Sequence, residues 1–105
     1  MRLTAFVGLL VFTLVLGCVA LETTPAGGRS ACADFRGLGD DAAAGIVTDV
    51  ELRDRMASVQ SRASTAEPDI RDAATMALRG LTLNDMGVYA DGVAALFKAC
   101  NAHGY

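Results

Sequence analysis

The segment TDVELRDRMASVQSRA (residues 48–63) decides the fold class of this chain of 105 residues. Thr48 followed three residues later by Glu51 is a capping-box signature, which is typical of a helix N-terminus. The apolar residues behind this cap recur at spacings of four, three and four residues: Leu52, Met56, Val59 and Ala63. These spacings place them on one face of an α-helix. The segment therefore predicts a helix that buries one face in a core.

A second helix is predicted behind Glu67-Pro68-Asp69, because acids and a proline suit the first turn of a helix. Its apolar stripe consists of Ile70, Ala74, Ala77, Leu78 and Leu81. Gly80 is the predicted stop signal, since glycine is common where helices end.

A third helix is predicted to open at Asn84-Asp85 and to end near Gly104. Its apolar face is predicted to consist of Met86, Tyr89, Ala90, Val93, Phe97 and Cys100. Gly87 and Gly92 lie inside this helix, where each costs about 1 kcal/mol relative to alanine or permits a close approach between helices. No strand pattern accompanies the three helices.

In front of these helices, residues 31–36 predict a single helical turn, with Cys32 and Phe35 on one side, which Gly37-Leu38-Gly39 breaks. Asp40-Asp41 then caps an alanine-rich run. The predicted fold is all-α: a small three-helix bundle with a short N-terminal helical turn, preceded by an N-terminal apolar signal helix. The predicted core residues are Leu52, Met56, Val59, Ile70, Leu78, Val93 and Phe97.

The first twenty residues have the profile of an export signal. Arg2 supplies a positive charge, and residues 3–21 contain no charged side chain. Directly behind the apolar run, Val15-Leu16-Gly17-Cys18 resembles the lipobox of bacterial lipoproteins, from which Leu16 departs slightly. The resemblance implies that Cys18 receives a diacylglyceryl group, that the chain is cut before Cys18, and that the new amine is acylated, for example with palmitate. Two or three acyl chains anchor a protein stably in a membrane.

On this interpretation, residues 1–17 are a signal peptide, residues 18–30 are a lipidated cysteine with a flexible tether, and residues 31–105 are the helical domain. The domain is then held at the outer face of the cell membrane. Two alternatives stay open. Cleavage after Ala20 would release a secreted protein, and an uncleaved signal anchor would reach about 28 Å as a helix of nineteen uncharged residues.

Three cysteines are an awkward number for an exported protein. Lipidation of Cys18 would leave Cys32 and Cys100, near the two ends of the domain, in an oxidising compartment where a disulfide persists. Closing a loop of about 69 residues removes roughly 4 kcal/mol of unfolded-chain entropy in the chain-entropy model. We therefore predict a Cys32–Cys100 disulfide. The alternatives are two buried free thiols and a metal site completed by His103 and carboxylates.

The layout is similar to that of a broad group of small exported actinobacterial proteins. The similarity rests on the signal segment, on the Cys-x-x-Phe motif at Cys32-Ala33-Asp34-Phe35, on alanine-rich helices and on Ala99-Cys100 near a terminal glycine. It covers the whole chain. The resemblance implies export and a helical fold, and it implies no reaction.

Charge and composition argue against several function classes. The formal charge is −3 and the basic residues are scattered, which argues against nucleic acid as a partner. His103 is the only histidine and is predicted to lie in a solvated terminus. Haem ligation by Tyr89, Tyr105 and His103 has no matching motif. We predict no catalytic residue, no metal and no cofactor.

The predicted function is that of a membrane-anchored cell-envelope lipoprotein, which binds another envelope protein and catalyses no reaction. A phage or prophage lipoprotein that excludes superinfection is one alternative, which gene neighbourhood would distinguish. A carrier of a small ligand such as haem is another, and it requires an apolar pocket.

Overall fold

The computed structural model of the chain describes residues 26–105, which form four α-helices and no strand. The helices are α1 (Ala26–Ala43), α2 (Asp49–Ala63), α3 (Pro68–Thr82) and α4 (Met86–Ala102). The predicted all-α class is confirmed, but the bundle formed by these residues has four helices rather than three. The predicted signal helix, Cys18 and the first part of the predicted tether lie outside the described residues.

The additional helix is α1, which replaces the predicted single turn and runs without a break through Gly37-Leu38-Gly39. It begins at Ala26, inside the segment predicted as a tether, so residues 26–30 are helical rather than flexible. Burial explains the difference, because Phe35 and Leu38 lie in the core. Burying a large apolar side chain contributes about 1.5–3 kcal/mol, which outweighs a cost of about 1 kcal/mol for each glycine.

The predicted starts of the other three helices are confirmed. The Thr48 hydroxyl accepts a hydrogen bond from the backbone N–H of Glu51 at 3.2 Å, at the start of α2. Pro68 occupies the first turn of α3. The Asp85 carboxylate accepts a hydrogen bond from the backbone N–H of Val88 at 3.1 Å, at the start of α4.

Helices α3 and α4 approach each other closely at two glycines. A Cβ atom on Gly80 would lie 2.3 Å from the backbone nitrogen of Tyr89, and one on Gly92 would lie 2.4 Å from the backbone nitrogen of Ala77. Both distances are far shorter than van der Waals contact, so only glycine permits this separation. Of the two alternatives left open for Gly87 and Gly92, a close approach between helices therefore holds at Gly92 and not at Gly87. The predicted stop at Gly80 is wrong, because Gly80 packs against α4 while α3 continues to Thr82.

Successive helices pack against each other, and α1 also meets α4. Short connections make sequential helices antiparallel, so the connections α1–α2 and α3–α4 lie at one end of the bundle. We call this end the tip and define it as residues 40–53 and 79–89. The start of α1 and the end of α4 lie at the opposite end. There the sulfur atoms of Cys32 and Cys100 are 2.00 Å apart, at disulfide distance, as the sequence predicts.

The core agrees with the prediction in α2 and α3 and differs from it in α4. Three predicted core residues are fully buried: Met56, Val59 and Ile70. Three others are partly buried against them: Leu52, Leu78 and Val93. The prediction was wrong for Phe97, which is 52% exposed. The backbone contact at Gly92 sets the rotation of α4, so the inward residues are Gly92, Leu96, Ala99 and Cys100, of which only Cys100 belongs to the predicted face.

Candidate functional site

An open apolar groove runs between α1 and α4. Its volume is about 730 Å³, and it is lined by Phe35, Arg36, Gly39, Asp40, Tyr89, Ala90, Val93, Ala94 and Phe97. The large side chains that α4 contributes, Tyr89, Val93 and Phe97, recur every four residues and therefore share one face of the helix. They belong to the apolar face that the sequence predicts. In the structure this face borders the groove: Tyr89 and Val93 are partly buried against the core, and Phe97 is exposed.

Contacts on either side of the groove explain why it stays open. Two ion pairs tie α1 to α2: Arg55 Nη1 lies 2.6 Å from Asp41 Oδ2, and Arg62 Nε lies 2.6 Å from Asp34 Oδ2. Asp41, which was predicted to cap a helix, thus makes its ion pair from inside α1. On the other side, the glycine contacts hold α4 against α3. Each wall of the groove is therefore packed against a different neighbour, and the two walls are joined to each other at the end that holds the Cys32–Cys100 disulfide.

Polar groups of α1 border the groove. The Arg36 guanidinium lies over the Phe97 ring, 5.6 Å from its centroid. It also donates from Nη2 to Asn101 Oδ1 at 2.8 Å and from Nε to the main-chain oxygen of Tyr105 at 3.1 Å. Asp40 is exposed and forms no ion pair within residues 26–105. Because Arg36 is engaged in these contacts, the negative charge of Asp40 is the one charge of the groove lining that is available to a partner.

The remaining lining suits apolar contact. Burial raises the pKa of Tyr89, so its phenol stays neutral. Grooves that combine apolar side chains with a few charged groups at their edge accommodate amphipathic helices. The arrangement provides binding surface, and it does not place a nucleophile beside a base.

His103, predicted to lie in a solvated terminus, is held between two carboxylates. Its Nε2 atom lies 3.0 Å from both carboxylate oxygens of Asp69, and its Nδ1 atom lies 3.1 Å from Glu67 Oε2. The Tyr105 ring stacks on the imidazole at a centroid distance of 5.8 Å. This cluster fastens the end of α4 to the start of α3.

The cluster shifts two pKa values. Desolvation acts to raise the pKa of Asp69, but the hydrogen bonds from His103 and from the backbone N–H of Ile70 outweigh it, so the pKa lies below its ordinary value. Desolvation and the nearby Glu67 carboxylate raise the pKa of Tyr105. Asp69 therefore stays ionised in more acidic solution than a free aspartate.

The residues considered for haem ligation are not gathered in one place. Tyr89 precedes His103 by fourteen residues along α4, which corresponds to a rise of about 21 Å. Tyr105 lies beside His103 instead. Among residues 26–105, no group of three His, Cys, Asp or Glu side chains is arranged to hold a metal ion. Cys32 and Cys100 are occupied by their disulfide.

Sequence analysis missed the α1 wall of the groove, because it placed a helix break at residues 37–39. A signal for the groove was present in α4. The apolar side chains of α4 cover a broad arc, in which Tyr89 lies between Leu96 and Cys100 and Phe97 lies at one edge. A helix on the surface of a small bundle needs an apolar stripe only about 100° wide to pack, so a broader arc indicates a further contact.

No helix within residues 26–105 combines the length and the apolar character needed to cross a bilayer. Cys18, the predicted lipidation site, precedes the part of the chain that the structure describes. Comparison of the chain with protein-family models, with curated proteins and with solved structures finds no match.

Proposed function

We propose that this protein is a lipoprotein of the bacterial cell envelope, anchored through Cys18 at the outer face of the membrane, which binds a helix of a partner protein and catalyses no reaction. The binding site is the groove between α1 and α4. The observation that carries the proposal is the apolar face of α4, which lines an open groove and leaves Phe97 52% exposed. Contiguous exposed apolar surface on a small domain marks an interaction site.

The dimensions of the groove suit one amphipathic helix. Helix α4 rises about 12 Å from Tyr89 to Phe97, so about two to three turns of a partner helix would cover this wall. A partner with apolar residues at spacings of three and four would insert them between Phe35 and Val93. Phe97 is the expected energetic centre, since exposed aromatic side chains often dominate such interfaces.

The charged side chains at the edge of the groove favour one orientation of the partner helix. Asp40 offers a carboxylate that no described residue neutralises, whereas Arg36 is already hydrogen-bonded to Asn101 and Tyr105. We therefore expect a Lys or Arg of the partner helix to lie beside Asp40. Such a rim charge contributes mainly to specificity and to the association rate.

The proposed anchor limits where the partner is found. Residues 19–25 separate Cys18 from the first residue of α1. Seven residues span at most about 25 Å when fully extended. The domain therefore stays close to the bilayer, and the expected partner is a membrane protein or another protein held at the same surface.

Site-specific photo-crosslinking in the producing bacterium tests the groove. The full chain carries p-benzoylphenylalanine in place of Ala94, which lines the groove, or in place of Ala57, which is an exposed alanine of α2. We expect a light-dependent adduct from position 94 and none from position 57. Mass spectrometry should locate the crosslink on an amphipathic helix of another envelope protein.

A second substitution separates binding from proximity. Phe97→Ser in the protein that carries the crosslinker at position 94 should reduce the adduct about tenfold, because it removes the main apolar contact. The melting temperature of this variant checks that the bundle is intact. Equal adducts from positions 94 and 57, or an adduct that Phe97→Ser leaves unchanged, would overturn the proposal.

A further inference from the structure

The tip of the bundle exposes a second apolar surface. Four large side chains protrude there: Ile46 (65% exposed), Val50 (68%), Leu83 (67%) and Met86 (58%). Two come from the α1–α2 side and two from the α3–α4 side. Asp49 and Arg53 of α2 and Met86 of α4 line a common depression, so the two sides meet at the tip. None of the four side chains lines the groove.

These apolar residues are not needed to build the turns. The Thr48 and Asp85 side chains cap the helices. Asn84 adopts a positive φ of 54°, which closes the α3–α4 connection. Single exposed apolar residues are common on protein surfaces, but several large ones at the same end of a small domain mark an interaction site.

The tip also carries the entire net charge of the described residues. Residues 40–53 and 79–89 contain five acids and two bases, a formal charge of −3, whereas the rest of residues 26–105 contains six acids and six bases. The acids of the tip are Asp40, Asp41, Asp49, Glu51 and Asp85. Of these, Asp41 is paired with Arg55. An apolar patch within an acidic rim attracts apolar segments flanked by Lys or Arg and repels acidic surfaces, anionic lipid included.

We propose that the tip is a second docking surface, which binds a protein segment whose apolar side chains are flanked by Lys or Arg. The apolar residues of the segment cover Leu83, Met86 and their neighbours, and its basic residues lie against the acidic rim. The inference goes beyond the groove and does not depend on it. A protein with both surfaces can hold one partner along its side and another at its end.

Photo-crosslinking in the producing bacterium also tests this proposal on the full chain. The crosslinker replaces Leu83 at the tip or Met76, an exposed apolar residue of α3 away from the tip. We expect an adduct with another protein from position 83 and none from position 76. The crosslinked segment should contain apolar residues next to Lys or Arg.

Charge variants then test the acidic rim. Asp49→Lys should lower the adduct from position 83 about tenfold, because it places a like charge against the basic segment. Asp49→Glu should preserve the adduct, and so should Asp72→Lys, which reverses a comparable acid in the first turns of α3 at the opposite end. An adduct that survives Asp49→Lys would overturn the proposal, as would a crosslink to lipid, to a second copy of this chain or to a segment without basic residues. Absence of an adduct from position 83 would also overturn it, whereas the groove is judged by position 94 alone.

Discussion

Gly92→Ala is the substitution that most directly tests how the bundle is held together. The new methyl group would lie 2.4 Å from the backbone nitrogen of Ala77 and 2.6 Å from its Cα atom. Carbon atoms normally make contact at about 3.5–4.0 Å, so α4 would have to move away from α3 by about 1 Å. Backbone atoms cannot swing aside as a flexible side chain can. The whole contact between the two helices is therefore disturbed.

The expected magnitude follows from two opposing terms. Overpacking of this kind typically costs about 1–3 kcal/mol, whereas replacing glycine by alanine inside a helix gains about 1 kcal/mol. We expect a net loss of up to about 2 kcal/mol in the free energy of unfolding. In a domain of this size that loss lowers the melting temperature by about 10 °C.

A matched control isolates the helix-propensity term. Gly39 lies inside α1, and a Cβ atom there would meet no atom within 4 Å. Gly39→Ala should therefore raise the melting temperature by about 4–8 °C, since only the gain of about 1 kcal/mol remains. Thermal unfolding followed by circular dichroism, with the disulfide intact, measures both variants. If Gly92→Ala raised the melting temperature as Gly39→Ala does, the close approach of α3 and α4 would be refuted.

Three further predictions concern the disulfide, the histidine cluster and the anchor. Reducing the Cys32–Cys100 bond, whose cysteines are 68 residues apart in sequence, should lower the free energy of unfolding by about 4 kcal/mol, as measured by urea unfolding with and without reductant. The double substitution Cys32→Ser, Cys100→Ser should match the reduced protein, and two titratable thiols in the oxidised protein would contradict the prediction. Because its folded-state pKa is lowered, Asp69 stabilises the folded protein above its unfolded pKa of about 3.9, and this contribution is lost as the pH falls through the folded value. The stability difference between the original protein and Asp69→Asn should therefore be larger at about pH 5 than at about pH 2, and a difference independent of pH would be inconsistent with the His103 pairing. Finally, Cys18→Ser should shift the protein out of the detergent phase or stall its processing, whereas an unmodified Cys18 in the intact mass of membrane-purified protein would rule out the lipid anchor.

Local signals in the sequence were sufficient for three of the four helices. Thr48 with Glu51, Pro68, and Asp85 each mark a helix start by chemistry that acts within a few residues. Helix α1 was missed because its glycines argue against a helix locally. Burial of Phe35 and Leu38 outweighs the cost of these glycines. Both side chains pack on residues that are distant in sequence, so a local sequence pattern does not reveal their burial.

The rotation of α4 was the second feature beyond the reach of the sequence. Its periodicity identified the apolar face that includes Tyr89, Val93 and Phe97, and it assigned this face to the core. The assignment failed because a hydrophobic pattern is read from apolar side chains, and Gly92 has no side chain. Yet Gly92 packs directly on the backbone of α3 at Ala77, and Leu96 points inward. The sequence therefore identified the apolar face of α4 that lines the candidate site, but it did not show that this face borders a groove.

The Cys32–Cys100 bond has a mechanical consequence for any pull applied to the ends of the bundle. Tension applied between residue 26 and Tyr105 passes from α1 into α4 through this covalent bond and bypasses α2 and α3. Of the described residues, only 26–31 and 101–105 lie outside the covalent loop, and they can lengthen the chain by at most about 40 Å. The helices inside the loop carry none of the load, so the groove keeps its shape under a pull that would unravel the same helices if only their turns connected them.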